Sequence, residues 1–131
     1  MNKTVAEKLG IKNGFQIYVA NPQGNYINLI EAANIKMQFA EYPEKYSMDV
    51  VHLFCKSRND LEKGILEHKN HIRKNGMIWV SWPKKASGIK TDINENIIRN
   101  MALEIGMVDV KVCSINHIWS GLKLVYRKMD R

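Results

Sequence analysis

The chain has 131 residues, 45% of them hydrophobic and 25% charged, and a formal net charge of +7. That length suits one domain, and the composition is too apolar for a disordered segment. No apolar run approaches the roughly 18–20 residues of a membrane span. The stretch from Met1 to Lys8 has an early lysine with no apolar segment behind it, so it does not read as a secretory signal. Cys55 and Cys113 stand far apart without metal-framework spacing. They read as buried thiols of a reducing compartment, with the cytoplasm as the expected location.

Thr4-Val5-Ala6-Glu7 has the pattern of a capping box that opens a short helix, and Gly10 suits its C-terminal stop. Phe15–Ala20 reads as a strand, Asn21-Pro22-Gln23-Gly24-Asn25 as a turn, and the segment through Ile27, Ile30 and Ala33 as a modest helix. Residues 35–39 alternate apolar and polar, as a half-exposed strand does. After a polar stretch, Val50-Val51-His52-Leu53-Phe54-Cys55 is a continuous apolar run, which suits a parallel strand buried on both faces.

Residues 59–74 carry a helical pattern, with Asn59 and Glu62 at capping-box spacing and Leu61, Ile65, Leu66 and Ile72 as the inner face. Asn75-Gly76 ends that pattern and Met77–Trp82 reads as a strand. Pro83–Lys90 is a loop, Asp92-Ile93-Asn94-Glu95 caps the next helix, and Ile93, Ile97, Ile98, Met101, Ala102 and Ile105 line one side of it before Gly106. Two closing strands, 108–115 and 119–127, are too close for a crossover and form an antiparallel hairpin. The expected fold is α/β: a single three-layer domain around a mostly parallel sheet of about six strands.

This order resembles the S-adenosylmethionine-dependent class I methyltransferase fold. The likeness rests on Leu9-Gly10-Ile11-Lys12-Asn13-Gly14 before the first strand, on Asp49–Phe54 as the fold's fourth strand, and on residues 72–80 as the turn into its fifth. A second likeness rests on Trp79-Val80-Ser81-Trp82-Pro83-Lys84-Lys85-Ala86-Ser87-Gly88 with the later Trp119-Ser120-Gly121-Leu122-Lys123. These resemble a small bacterial family known only as a domain of unknown function.

The methyltransferase resemblance implies an S-adenosylmethionine site at Asn21, Gln23 and Gly24, with Glu41 or Glu31 as the ribose-binding acid. The glycine-rich cofactor loop of that superfamily is here reduced to one glycine and an intruding proline. With only about 30 residues from the first strand to Asp49, the chain also lacks room for one strand–helix pair.

In open α/β sheets ligands sit beyond the carboxyl ends of the strands. On that rule one rim collects Asn21, Gln23, Gly24, Lys56, Ser57, Arg58, Trp82, Pro83, Lys84, Lys85, Ser87, Gly88, Asn116, His117, Trp119 and Ser120, with Thr91 and Asp92 at the start of the following helix. Its lysines and arginine favour a phosphate- or carboxylate-bearing small molecule. The expectation is therefore a non-catalytic ligand-binding or regulatory module, with a minimal methyltransferase as the alternative.

The bland readings compete with this one. Lys84 and Lys85 are ordinary loop residues, the tryptophans ordinary core, and Thr91-Asp92 an ordinary helix cap. His52 reads as a hydrogen-bonded core residue, and His68 and His71 share a helical face without a third metal ligand, so no metal site is expected. His117 is the one histidine at the rim. Nucleic acid ranks last among partners because the basic residues form no stripe along the sequence. An apolar patch left by the missing strand–helix pair would suit a homodimer.

Overall fold

The computed structural model describes residues 3–131. Residues 1 and 2, part of the stretch tested for a targeting signal, lie outside the described residues. Six strands form one sheet, and their order across it is β2-β1-β3-β4-β6-β5. Helix α1 (Val5–Leu9) precedes β1 (Phe15–Ala20); α2 (Tyr26–Leu29) connects β1 to β2 (Met37–Phe39). Strand β3 (Met48–Phe54) is followed by α3 (Arg58–His68), β4 (Ile72–Pro83), α4 (Glu95–Glu104) and the hairpin β5 (Met107–Ser114) and β6 (Trp119–Tyr126). β2, β1, β3 and β4 pair in parallel; β6 runs antiparallel to both β4 and β5. The polypeptide passes from β2 to β3 through residues 40–47 with no helix. The sheet therefore carries α1 and α2 on one face and α3 and α4 on the other, while the α3 side of β1 has no helix of its own. Among the described residues no helix is long and apolar enough to cross a membrane.

Local chemistry explains the element starts. Thr4 Oγ1 accepts from the Glu7 backbone N–H at 3.1 Å and the Glu7 carboxylate accepts from the Thr4 N–H, the capping box read from the sequence. Gly10 ends α1 at φ 80°, where a side chain would be strained. Val50, His52 and Phe54 face the α1–α2 layer, and Val51, Leu53 and Cys55 the α3–α4 layer, so both sides of β3 are sealed.

Several expected boundaries shift. The helix expected over 59–74 is capped by Ser57 and stops at His68, because Ile72 pairs with Met48 and starts β4. Asn75-Gly76 lies inside β4, beside a register irregularity at Met48/Val50. A Cβ at Gly76 would stand 3.0 Å from the Met48 carbonyl oxygen, so the close backbone approach demands glycine there. Leu66, expected on the inner face, is 55% exposed. Helix α2 has only 4 residues; Tyr26 is buried on it while Ile27 and Ala33 point to solvent. The next strand begins at Met37, not at residue 35.

The centre of the sheet is a close interlock. Trp79 is fully buried, and its indole N–H donates to the Leu9 carbonyl at 3.0 Å, which fastens the end of α1 to β4. Its six-membered ring passes over Gly121 of β6, where a Cβ would stand 3.1 Å from Trp79 Cε3 and 3.2 Å from Ile115 Cδ1. Overpacking of this kind costs about 1–3 kcal/mol. Gly121→Val should therefore lower the urea unfolding free energy by about that amount without changing the slope of the transition; an unchanged midpoint would contradict the interlock.

Candidate functional site

The carboxyl ends of β1, β3 and β4 place the expected rim residues along one edge, but the structure divides them into two sites. The first lies at the ends of β1 and β3. Asn21 adopts φ 57° and its amide donates to the Phe54 carbonyl at 3.5 Å, while the Gln23 amide folds back onto the Asn21 carbonyl at 2.8 Å. Asn25 caps α2 by accepting from the Asn28 N–H. The loop thus uses its polar side chains on itself and its neighbours. Beside it, Tyr18, Asn21, Cys55, Gly64, Glu67 and His68 line a depression of about 290 Å³, just under the ~300–1,000 Å³ of ordinary ligand pockets. Burial, with some help from the Asp60 charge, raises the Cys55 thiol pKa to about 12, so it is inert rather than activated by its basic neighbours.

The second site is a cleft of about 510 Å³ between the segment after β4 and the start of α4. Trp82, Pro83, Ile89 and Ile93 supply apolar walls, with Lys85, Lys90, Thr91 and Asn94 around them. Lys85 and Lys90 are exposed. Gly88 turns the loop at φ 76°. Ser87 is consumed by that turn: its hydroxyl donates to the Lys84 carbonyl at 2.7 Å and accepts from the Ile89 N–H at 3.1 Å. Thr91 donates to the Lys56 carbonyl at 2.6 Å and Asp92 accepts from the Arg58 N–H at 2.8 Å. These two bonds clasp the loop after β3 to the loop after β4 and bring Lys56 beside the cleft. Thr91-Asp92 therefore does not cap α4, as the sequence suggested; Asn94 does, accepting from the Ile97 N–H, and Asp92 serves the start of α3 instead.

Trp82, Lys85 and Gly88 are thus brought together, joined by Ile89 and Lys90, which the sequence did not single out, and by Ile93, expected only as a helix-face residue. Other expected rim residues serve elsewhere. Ser57 caps α3. Arg58 lines a different groove, with Glu62, Leu66, Ile97 and Met101 between α3 and α4. Lys84 Nζ donates to Ser114 Oγ at 2.6 Å on the closing hairpin. Trp119 is 3% exposed and packs edge-on against Phe54 at 5.3 Å, so its ring belongs to the core; Ser120 is half-buried opposite Trp82. Asn116 holds the hairpin turn by accepting from the Ile118 and Trp119 N–H groups, leaving His117 exposed. Glu31 accepts from the Val5 N–H at the start of α1, whereas Glu41 lies exposed beyond the carboxyl end of β2.

Beneath these loops runs a sealed polar relay. His52 is fully buried between the Tyr26 hydroxyl at Nδ1 and the Ser81 hydroxyl at Nε2, each at 2.7 Å. One ring nitrogen donates and the other accepts, and the ring stacks on Phe54 at 4.4 Å. Burial lowers the His52 pKa to about 3 and raises that of the Tyr26 phenol, so both stay neutral. The relay ties α2 to β3 and β4 just below the edge. His68 and His71 form a pair of their own, Nδ1 to Nδ1 at 2.9 Å, and no cluster of three metal-ligating side chains occurs among the described residues.

The family model that matches, over residues 6–128, is described as a protein of unknown function (DUF3052). A search of curated proteins finds no match. Among solved structures, a putative type 11 methyltransferase from Sulfolobus solfataricus is 16% identical with a TM-score of 0.61, covering 95% of this chain and 90% of its own. An S-adenosylmethionine-dependent methyltransferase from Aquifex aeolicus is 12% identical with a TM-score of 0.61, covering 92% and 86%. Magnesium protoporphyrin IX methyltransferase from Synechocystis PCC 6803, solved with S-adenosylhomocysteine, is 11% identical with a TM-score of 0.60, covering 93% and 78%. At these identities the likeness establishes the fold.

The relay makes stability depend on pH. A histidine whose folded pKa lies below its unfolded value of about 6.5 supports the fold above pH 6.5 and loses that support as pH falls toward 3. One such group changes the unfolding free energy by at most about 1.4 kcal/mol per pH unit. Between pH 6.5 and 4.5, His52→Gln should show a shallower loss of stability than the wild type in urea titrations. Equal slopes would remove His52 from this role.

Proposed function

The chain belongs to the DUF3052 family of proteins of unknown function, and we propose that it is a non-catalytic binding module that takes a small anion with an apolar or flat body at the carboxyl edge of a methyltransferase-like sheet. The observation that carries this reading is the cleft between β4 and α4, with Trp82, Ile89 and Ile93 as its apolar wall and Lys85 and Lys90 at its mouth. Such a surface takes an apolar body against the wall and an anionic group against the ammonium groups. The carboxylate on the surrounding segment, Asp92, accepts from the Arg58 N–H and helps hold the loop rather than offering itself to a ligand.

Three features oppose methyl transfer. The Asn21–Asn25 loop spends its side-chain amides on the Phe54 carbonyl and on its own backbone, and Pro22 brings no N–H to it. The adjoining depression is small for S-adenosylmethionine. These residues do not form a cradle for that cofactor. The alternative, a minimal methyltransferase, is favoured by one observation: Glu41 stands beyond β2, in the place the resemblance assigns to a ribose-binding acid.

The proposal is tested by fluorescence titration with anilinonaphthalene sulfonate, an aromatic anion. Two exposed lysine contacts are worth about 1.4 kcal/mol together, so Lys85→Ala/Lys90→Ala should weaken binding about tenfold. Identical affinity in the two proteins would exclude this cleft as the site.

A further inference from the structure

Two lysines oppose each other across the closing hairpin. Lys111 of β5 and Lys123 of β6 are register partners. They share the sheet face on which α1 packs, since Lys111 Nζ donates to the Lys8 carbonyl at 2.7 Å. Directly opposite residues of an antiparallel pair have Cβ atoms about 4.5–5.5 Å apart, where like charges destabilise the sheet. Among the described residues no carboxylate makes an ion pair with either lysine; the ion pairs involve Arg73, Arg99 and His68. The bond to Lys8 places the Lys111 ammonium at the last turn of α1, where a cation is favoured. It neither neutralises that charge nor accounts for Lys123, whose own pKa is lowered by burial and by the charges of Lys111 and Arg131.

More positive charge lies along the same hairpin. Arg131 shares a small depression with Lys123, Val125 and Asn75. At the other end Lys84 is bonded to Ser114, about 10 Å along β5 from Lys111 at the usual rise per residue. The charges of Lys8, Lys84 and Lys111 all act on the Cys113 thiol between them. The nearby acid Asp130 is exposed in a terminal 3-10 turn and makes no ion pair. The cations on this face therefore form a strip from Lys8 and Lys111 to Lys123 and Arg131, with Lys84 at its end held through Ser114 to the other face of β5.

We propose that this strip is a nucleic-acid docking surface that holds a phosphodiester backbone. An array of uncompensated cations along a strand matches a row of phosphates, and binding there would relieve the repulsion built into the hairpin. The other classes of partner fit less well. A protein interface centres on apolar or aromatic anchors, and a membrane surface needs apolar side chains to insert. Between these cations the face offers Cys113 and Gly121, both buried, and half-buried Val125, with no exposed aromatic ring. Nucleic-acid interfaces are polar and strongly positive. The strip lies apart from the cleft between β4 and α4 and does not depend on it.

The test is fluorescence anisotropy with a fluorescein-labelled oligodeoxythymidylate over a range of NaCl concentrations. It compares the wild type, Lys111→Gln/Lys123→Gln, and Lys85→Gln/Lys90→Gln as the cleft control. Three or four phosphate contacts on a single strand predict a slope of log affinity against log salt of about −2 to −3. The strip variant should lose at least about tenfold in affinity at low salt and show a slope shallower by about 1.4 units. The cleft control should keep both. The strip variant should also melt at or above the wild-type temperature, which separates lost contacts from lost folding. The proposal is overturned by absence of binding at low salt, by equal slopes in wild type and strip variant, by a loss confined to the cleft variant, or by tighter strip-dependent binding to phosphatidylserine vesicles.

Discussion

The structure depends on the passage of Trp79 over Gly121. A fully buried indole fills the space that a side chain at position 121 would occupy and donates to the end of α1. One residue thereby joins three parts of the chain: the first helix, the central parallel strand β4 and the antiparallel strand β6. The carboxyl edge is built on that frame. Pro83 pairs with Trp119 and Ser81 with Gly121, so the position of the β4–α4 loop relative to the hairpin follows from the register the interlock enforces. The His52 relay adds a second cross-tie on the same face, linking α2 to β3 and β4 with hydrogen bonds where apolar packing alone would leave α2, a helix of 4 residues, weakly held.

A consequence of this frame is that the edge can lose a unit without losing its shape. The crossing from β2 to β3 carries no helix, yet β1, β3 and β4 still align in parallel. The space beside β1 is filled partly by Tyr18, whose ring lies 5.1 Å from that of His68. The loop after β1, short of glycine, closes on itself. On the proposed reading, binding at this edge lies at the lysine-lined cleft between β4 and α4 and not at the loop after β1. Fold and function separate here because the sheet is set by buried residues and the site by loop residues.

Much of the fold was legible in the sequence where local chemistry decides it. The capping box at Thr4 and Glu7, the apolar run of β3 and the short connection of the closing hairpin all signalled their elements. Long-range pairing decided the rest. Ile72 fits a helical face by spacing, but its pairing with Met48 draws it into β4. Asp92 has the composition of a cap, yet the N–H it serves belongs to Arg58 on the preceding helix. Tyr26 gave no sign of its bond to His52. The strand-end rule named Trp82, Lys85 and Gly88, which the structure gathers along one cleft; it did not name Lys90, which lines the same cleft, and Trp119 is core. The opposed Lys111 and Lys123 could not be seen in a linear sequence, since only hairpin register places them face to face.

The central claim is that the methyltransferase-like sheet persists here while its cofactor loop does not hold the cofactor. Calorimetric titration with S-adenosylhomocysteine at moderate salt tests it most directly. The account predicts no detectable heat, because the side chains of the Asn21–Asn25 loop are bonded to Phe54 and to the loop itself and the depression beside it is small. Saturable micromolar binding, abolished by Glu41→Ala, would contradict it and make methyl transfer the reading to pursue.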